Sequence, residues 1–142
     1  MRELKPRFYI LSAERYTETD TINFDRTENL ERSLIALGLS YKRVVGCYEG
    51  TREASFLVPD KGAWVAWDGC DTFACVQGLA DVFDQDSFLE RHPDGAAEIH
   101  ELHIGRDGNL HSYFIGTFQE GTPGSEECYT HDPSTGVSYV CR

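Results

Sequence analysis

The chain has 142 residues and a mass of 16.0 kDa, the size of one domain that buries about 68–70% of its unfolded surface and needs neither metal nor disulfides to fold. Thirteen Lys and Arg against 24 Asp and Glu give a formal net charge of -11, spread along the chain. That balance disfavours phosphate backbones and anionic membranes, so no nucleic acid and no membrane is expected as a partner; it suits a cationic ligand, and it also suits plain solubility.

The apolar run near the N-terminus, Phe8 to Leu11, ends at a serine, which is too short for a signal peptide. No run approaches the ~20 apolar residues of a membrane span. Cys47, Cys70, Cys75, Cys128 and Cys141 are odd in number and lack framework spacing, so they read as reduced thiols of a cytoplasmic protein. No metal site is expected: there is no C-x-x-C pair, His100 and His103 would point to opposite faces of one strand, and His92, His111 and His131 are scattered.

In chain order, Arg7 to Ala13 is a continuous apolar run, expected as a strand buried on both faces. Glu14 to Thr21 is polar and aperiodic, a loop. A helix is predicted from Asn23, with Asp25-x-x-Glu28 as a capping box, Leu30, Leu34 and Leu37 on its apolar face and Gly38 just past its end. Glu28, Glu31 and Arg32 fall on the wet side. Leu39 to Tyr48 and Ala54 to Val58 are predicted strands joined through Glu49-Gly50-Thr51.

Asp60 to Gly62 is a turn, and Ala63 to Asp68 fits either a short strand or a helix entry. A second helix, starting near Asp68 or Asp71 and ending at Phe83, presents Phe73, Val76, Leu79 and Ala80 on one face. Gln85 to Arg91 is a strand stopped by His92-Pro93-Asp94-Gly95. The remainder is β: Ala97 to Ile104 and Asn109 to Phe118 flank Gly105 to Gly108, and Glu127 to His131 pairs with Val137 to Cys141. The order β-α-β-β-α-β predicts an α+β fold of ferredoxin-like plan in a single domain, an antiparallel sheet with two helices on one face and C-terminal hairpins appended.

No P-loop, Rossmann glycines, G-x-S-x-G or H-E-x-x-H is present. Four polar clusters remain: Ser12-Ala13-Glu14-Arg15, Asn23-x-x-Arg26, Tyr48 to Glu53, and Asp84-Gln85-Asp86. Each also has an ordinary structural reading, as a loop cap, a surface ion pair or a solvated turn. The aspartates after the second helix stand out, because negative charge at a helix C-terminus opposes the macrodipole and needs compensation. The ferredoxin-like plan does not by itself bring these clusters together in one subunit.

Taken in order, the pieces Phe8-Tyr9-Ile10-Leu11-Ser12-Ala13, Asn23-x-x-Arg26, Gly46-Cys47-Tyr48, Thr51-x-Glu53, Gln85-Asp86, Gly116 to Glu120 and the Cys128 to Val140 ending resemble the phage-encoded S-adenosylmethionine lyases, formerly called SAM hydrolases. A second likeness, through the Glu53 to Val58 strand and the Phe83-x-Gln85 helix ending, is to uncharacterised bacterial proteins and adds no activity.

The lyase resemblance implies a homotrimer with sites between subunits, working without cofactor or metal in the cytoplasm of an infected bacterium. It implies conversion of S-adenosylmethionine (SAM) to 5′-methylthioadenosine and L-homoserine lactone, which depletes the host's SAM and starves restriction and methylation systems. Tyr48 and Glu53 match the family's essential pair, Gln85 and Asp86 a ligand-contacting pair, and Ser12, Ala13 and Arg15 part of the substrate pocket. The chain departs from the family pattern in a loop between Tyr48 and Glu53 that is shorter than in some members, and in Glu14, which replaces an aromatic residue beside the pocket. Two alternatives accompany this reading: a SAM hydrolase with Glu53 as general base for water, and a non-catalytic nucleotide-binding or host-inhibiting protein.

Overall fold

The computed structural model describes residues 6–48, 51–102, 110–124 and 128–142, with Tyr48 described by its backbone alone. Among the described residues the elements are β1 (Phe8–Ser12), α1 (Asp20–Leu37), β2 (Lys42–Tyr48), β3 (Thr51–Pro59), α2 (Thr72–Val82), β4 (Ser87–Arg91), β5 (Ala96–Glu101), β6 (His111–Glu120), β7 (Tyr129–Asp132) and β8 (Val137–Cys141). The strands form a closed antiparallel barrel in the order β1-β3-β2-β7-β8-β6-β5-β4, with β4 returning to β1 through pairs such as Tyr9 with Glu90.

The expected ferredoxin-like open sheet with appended hairpins is therefore wrong. The hairpins are structural members of the wall: β5 pairs with β4, β7 pairs with β2, and β6 with β8 joins the two halves. An open sheet would leave the edges of β4 and β2 as unpaired backbone, and closure satisfies both. Period-two patterning in the hairpins says only that they are strands, whereas their pairing partners decide between sheet and barrel.

Alternation along each strand builds two cores. Outward residues of β1, β3 and β4 (Tyr9, Leu11, Phe56, Val58, Phe88) pack beneath the helices against Leu30, Leu34, Val76 and Leu79. Inward residues (Phe8, Ile10, Leu57, Leu89, Phe118) fill the lumen. The first strand is thus buried on both faces, as its apolar run predicts, with helices outside and lumen inside. At one end of the lumen Phe8 stands edge-on to Phe118 and Tyr139, centroids 5.8 and 5.9 Å apart, and Arg91 covers the rings of Phe8 and Tyr139. That end is plugged, and the other, where Ser12 and Glu53 lie, is open.

Helix α1 begins earlier than predicted. Thr19 is its N-cap and accepts a hydrogen bond from the Ile22 amide at 3.2 Å, so Asp25 and Glu28 lie inside the helix and form no capping box. Glu28 and Glu31 do not merely face water: Arg43 of β2 binds both, at 2.8 and 2.7 Å. Gly38 ends the helix at φ 78°, as predicted. Asp71 caps α2, and Ala63 to Asp68 forms neither strand nor helix. The turn expected at Gly105 to Gly108, and the Glu49-Gly50 part of the β2–β3 connection, lie outside the described residues.

Closure between β6 and β8 depends on Gly116. It sits at φ 144° beside a register shift opposite Ala97 and Glu98, and a Cβ there would lie 2.7 Å from the Arg142 carbonyl oxygen. The Arg142 backbone exchanges hydrogen bonds with Thr117 at 2.7 and 3.0 Å, so it cannot retreat cheaply. Gly116→Ala is expected to lower unfolding free energy by about 2 kcal/mol or more, read by urea denaturation.

Candidate active site

The open end of the barrel holds a cavity of about 570 Å³. Its floor is apolar, with Ile10, Leu89, Ile99 and Ile115 from the lumen, and its mouth is polar, with Ser12, Glu14, Arg15, Glu53, Gln85 and Asp86 among its lining. Four separate stretches of chain meet there because β1 lies between β3 and β4 while the end of α2 leads directly into β4.

Residues 12–15 leave β1 along a path fixed mainly by α1. Asn23, buried, accepts from the Arg15 amide at 2.8 Å and donates to the Arg15 carbonyl at 2.9 Å. One turn on, Arg26 donates through Nε to the Ala13 carbonyl at 2.6 Å and through Nη2 to the Phe83 carbonyl. The Asn23-x-x-Arg26 pair is thus a clamp on one helical face, joining the end of β1 to the end of α2. Ser12 donates to the Ala54 carbonyl at 2.8 Å and accepts from the Glu14 amide, locking the strand end against β3.

The compensation that the acidic end of α2 requires comes from arginines. The helix ends in paired hydrogen bonds, Asp84 to Asp81 and Gln85 to Ala80, the pattern with which Gly38 and Leu39 end α1. Asp84 takes the glycine position at φ 56° and is ion-paired to Arg15 at 3.0 Å. Arg15 also donates to the Asp84 carbonyl, and Arg26 serves Phe83, so two guanidiniums meet the negative end of the dipole. The buried Gln85 spends its amide nitrogen on the Glu14 and Phe83 carbonyls at 3.1 and 3.3 Å; what it can offer a ligand is its carbonyl oxygen.

Glu53 follows the inward parity of Leu57 and Ser55 along β3 and so faces the cavity. Its strand partner is Gly46, where a Cβ would come within 3.0 Å of Ser55 Oγ, so glycine keeps the lumen open beside it. Its side chain is open to the cavity yet flanked by the walls. Desolvation, and secondarily the Glu14 charge, push its pKa up to about 7. Glu14 is held there by the Ala54 amide, which donates to its carboxylate.

Of the sequence-predicted residues, Ser12, Arg15, Glu53, Gln85 and Asp86 line this one cavity. Ala13 does not line it; it is fully buried behind and contributes its carbonyl to Arg26. Tyr48 ends β2 opposite Thr51, two residues from Glu53. Thr51 and Tyr129, from the Thr51-x-Glu53 and Cys128 to Val140 stretches, also border the cavity, and so do Glu101 and Tyr113, which sequence reasoning did not single out. These last two lie on strands with no local motif, and only closure of the barrel brings them round. Among the described residues, five carboxylates (Glu14, Glu53, Asp84, Asp86, Glu101) and one guanidinium (Arg15) line the cavity, a balance that attracts a cation.

All five cysteines are free thiols, and among the described residues no helix is long and apolar enough to cross a membrane. No curated protein matches the chain significantly. The family model described as S-adenosylmethionine lyase matches residues 9–142, a span that includes every cavity residue named above, and the chain therefore belongs to the S-adenosylmethionine lyase family.

Proposed function

We propose that the cavity binds SAM and that the reaction in it is intramolecular lactonisation. An oxygen of the substrate's own carboxylate attacks its γ-carbon, the Cγ–S bond breaks, and the electron pair leaves with sulfur as neutral 5′-methylthioadenosine. The other product is L-homoserine lactone, and the step needs neither water nor an external base. The observation that carries this reading is Glu53, a carboxylate in the wall of an acidic cavity whose floor is apolar.

The cavity volume falls in the range of small-molecule sites. Substrate carboxylate and sulfonium neutralise each other as the ring closes, so a site poor in water favours the transition state over the separated charges. Folding the methionyl chain into attack geometry supplies about 7–11 kcal/mol in favourable cases. In this scheme Glu53 holds the α-ammonium, Tyr48 orients that carboxylate or the substrate, and Gln85 and Asp86 receive the substrate's polar atoms. Ser12, Ala13 and Arg15 form and support the adjoining wall.

The working unit in this reading is a homotrimer whose neighbouring subunits complete the site. Tyr16, on the cavity rim, is 89% exposed in the single chain, a large apolar ring for a neighbour to cover. Native mass spectrometry should give a trimer, and an active monomer would overturn this arrangement. The biological use is depletion of SAM in a phage-infected bacterium.

Turnover in ¹⁸O-labelled water separates lactonisation from direct hydrolysis by the position of the label. Lactone opened later by water at its carbonyl carries label in the carboxyl group, while water attacking the γ-carbon places it in the γ-hydroxyl. Label in the carboxyl alone is the expected result, and label in the hydroxyl would overturn lactonisation. Binding of SAM with no methylthioadenosine formed would leave only a binding protein.

A further inference from the structure

We propose that the outer wall of the β4–β5 hairpin is a site for a divalent transition metal, zinc by its donor set, held by Glu90, His92 and Glu98, with His100 orienting the Glu90 carboxylate. Glu90 and Glu98 are directly opposed across the hairpin. Like charges in that position destabilise a sheet unless something lies between them. Two imidazoles flank the pair: His92 Nε2 is 2.7 Å from Glu98 Oε1 and its Nδ1 is 3.6 Å from Glu90 Oε2, so the ring lies between the two carboxylates and offers an ion one nitrogen. His100 Nε2 is 2.7 Å from Glu90 Oε1 and 3.6 Å from Glu98 Oε1.

One ligand atom each from Glu90, His92 and Glu98 falls within a 4.8 Å set. Donors at the usual zinc distances of about 2.0–2.2 Å in a tetrahedron stand about 3.3–3.6 Å apart. The spacings found bracket that value, and the 2.7 Å contacts need to open by about half an ångström. Imidazole with carboxylate is a donor set for zinc and its neighbours rather than for calcium or magnesium.

The surroundings are those of a metal ligand set. The other ring nitrogen of His100, Nδ1, meets Ser112 Oγ at 2.7 Å, which fixes the ring and leaves Nε2 directed at the carboxylates. Phe73 and Phe88 pack on the His100 ring, centroids 5.1 and 5.0 Å away. Phe114 lies 5.5 Å from the His92 ring. His92 is anchored by its own turn, its amide donating to Ala96 and its carbonyl accepting from Gly95. Arg7 also reaches Glu90, at 3.3 Å from Oε2, but it is partly exposed and free to withdraw. The side chains of His92 and Glu98 are 23% and 16% exposed, which gives an ion a way in. The group forms across two strands and a turn, so no spacing along one strand reveals it.

The test uses the full chain, stripped with chelator and kept reduced, titrated with zinc by calorimetry and with Co²⁺ by visible absorption. One equivalent of zinc at micromolar affinity or tighter is expected, with a rise in Tm and cobalt d–d bands lacking the near-ultraviolet thiolate band that the cysteines would give. His92→Ala and Glu98→Gln, both partly exposed, should each weaken binding by roughly tenfold or more, and Ser112→Ala by less. Absence of stoichiometric binding, a thiolate band, or affinity unchanged in His92→Ala and Glu98→Gln would overturn the site and leave a hydrogen-bonded ion network. Ser112 is exposed, so Ser112→Ala supplies the comparison should either ligand variant fail to fold.

Discussion

Glu53→Gln is expected to leave the barrel folded and to lower turnover by roughly 10²–10³-fold, the scale on which loss of one directed polar contact to a transition state acts. The amide keeps the shape of the side chain and removes the charge that would hold the α-ammonium. Full activity in this variant would sink the assignment. The wild-type carboxyl titrates at about 7, against an ordinary value of 4.5, chiefly through desolvation and then through Glu14. A raised carboxyl means that the native protein keeps a proton that the unfolded chain releases. Stability therefore falls as pH rises from about 4.5 to about 7 and is fully reduced above that window. Because Glu53 is open to the cavity, the effect is on the order of 1 kcal/mol. Gln has no such proton, so the Tm of Glu53→Gln relative to wild type should improve between pH 5 and pH 8. In wild type, kcat/KM should rise with pH through about 7 as the carboxylate forms, and the matching limb of kcat should lie lower, because a bound cation favours the anion.

The order of the polar clusters along the chain identified the family and five of the cavity residues, because strand ends and helix caps carry local signals. Gly38 and Asp71 mark helix ends through backbone needs that reside in one or two residues. The barrel was not legible on the same terms. Whether β7 finds the free edge of β2 depends on partners such as Val45 and His131, more than 80 residues apart, and whether Gly116 bends β6 toward β8 depends on pairs such as Phe118 with Cys141, which no local pattern announces. The early start of α1 has a similar cause. Asp25-x-x-Glu28 has the form of a cap, but Asn23 and Arg26 are required on the helix to clamp residues 13–15, so the helix extends back to Thr19. The departure at Glu14 acquires a physical sense only in three dimensions, where its charge lies beside Glu53.

Arg26→Ala is expected to damage stability and catalysis together. Arg26 is half-buried, and its guanidinium satisfies the carbonyls of Ala13 and Phe83 while lying 5.9 Å from the Phe83 ring. Removing it leaves one carbonyl at the end of β1 and one at the end of α2 without their charged donor. The expected loss is about 2–4 kcal/mol, since hydrogen bonds to charged groups contribute roughly 1.5–3 kcal/mol each and water recovers part of it. Chemical denaturation measures that loss directly. The same two carbonyls position Ser12 to Arg15 on one side of the cavity and Gln85 on the other, so the variant also loosens two walls at once. Displacement by about 1 Å costs up to ~10²-fold in rate, and kcat/KM should fall on that scale even under conditions where the variant remains fully folded. Arg26→Lys separates charge from geometry. An ammonium still opposes the α2 dipole but cannot span both carbonyls as the planar fork does, so it should restore part of the stability and little of kcat/KM. Full restoration of both by lysine would show that charge at the helix end, rather than the bridge between β1 and α2, is what Arg26 provides.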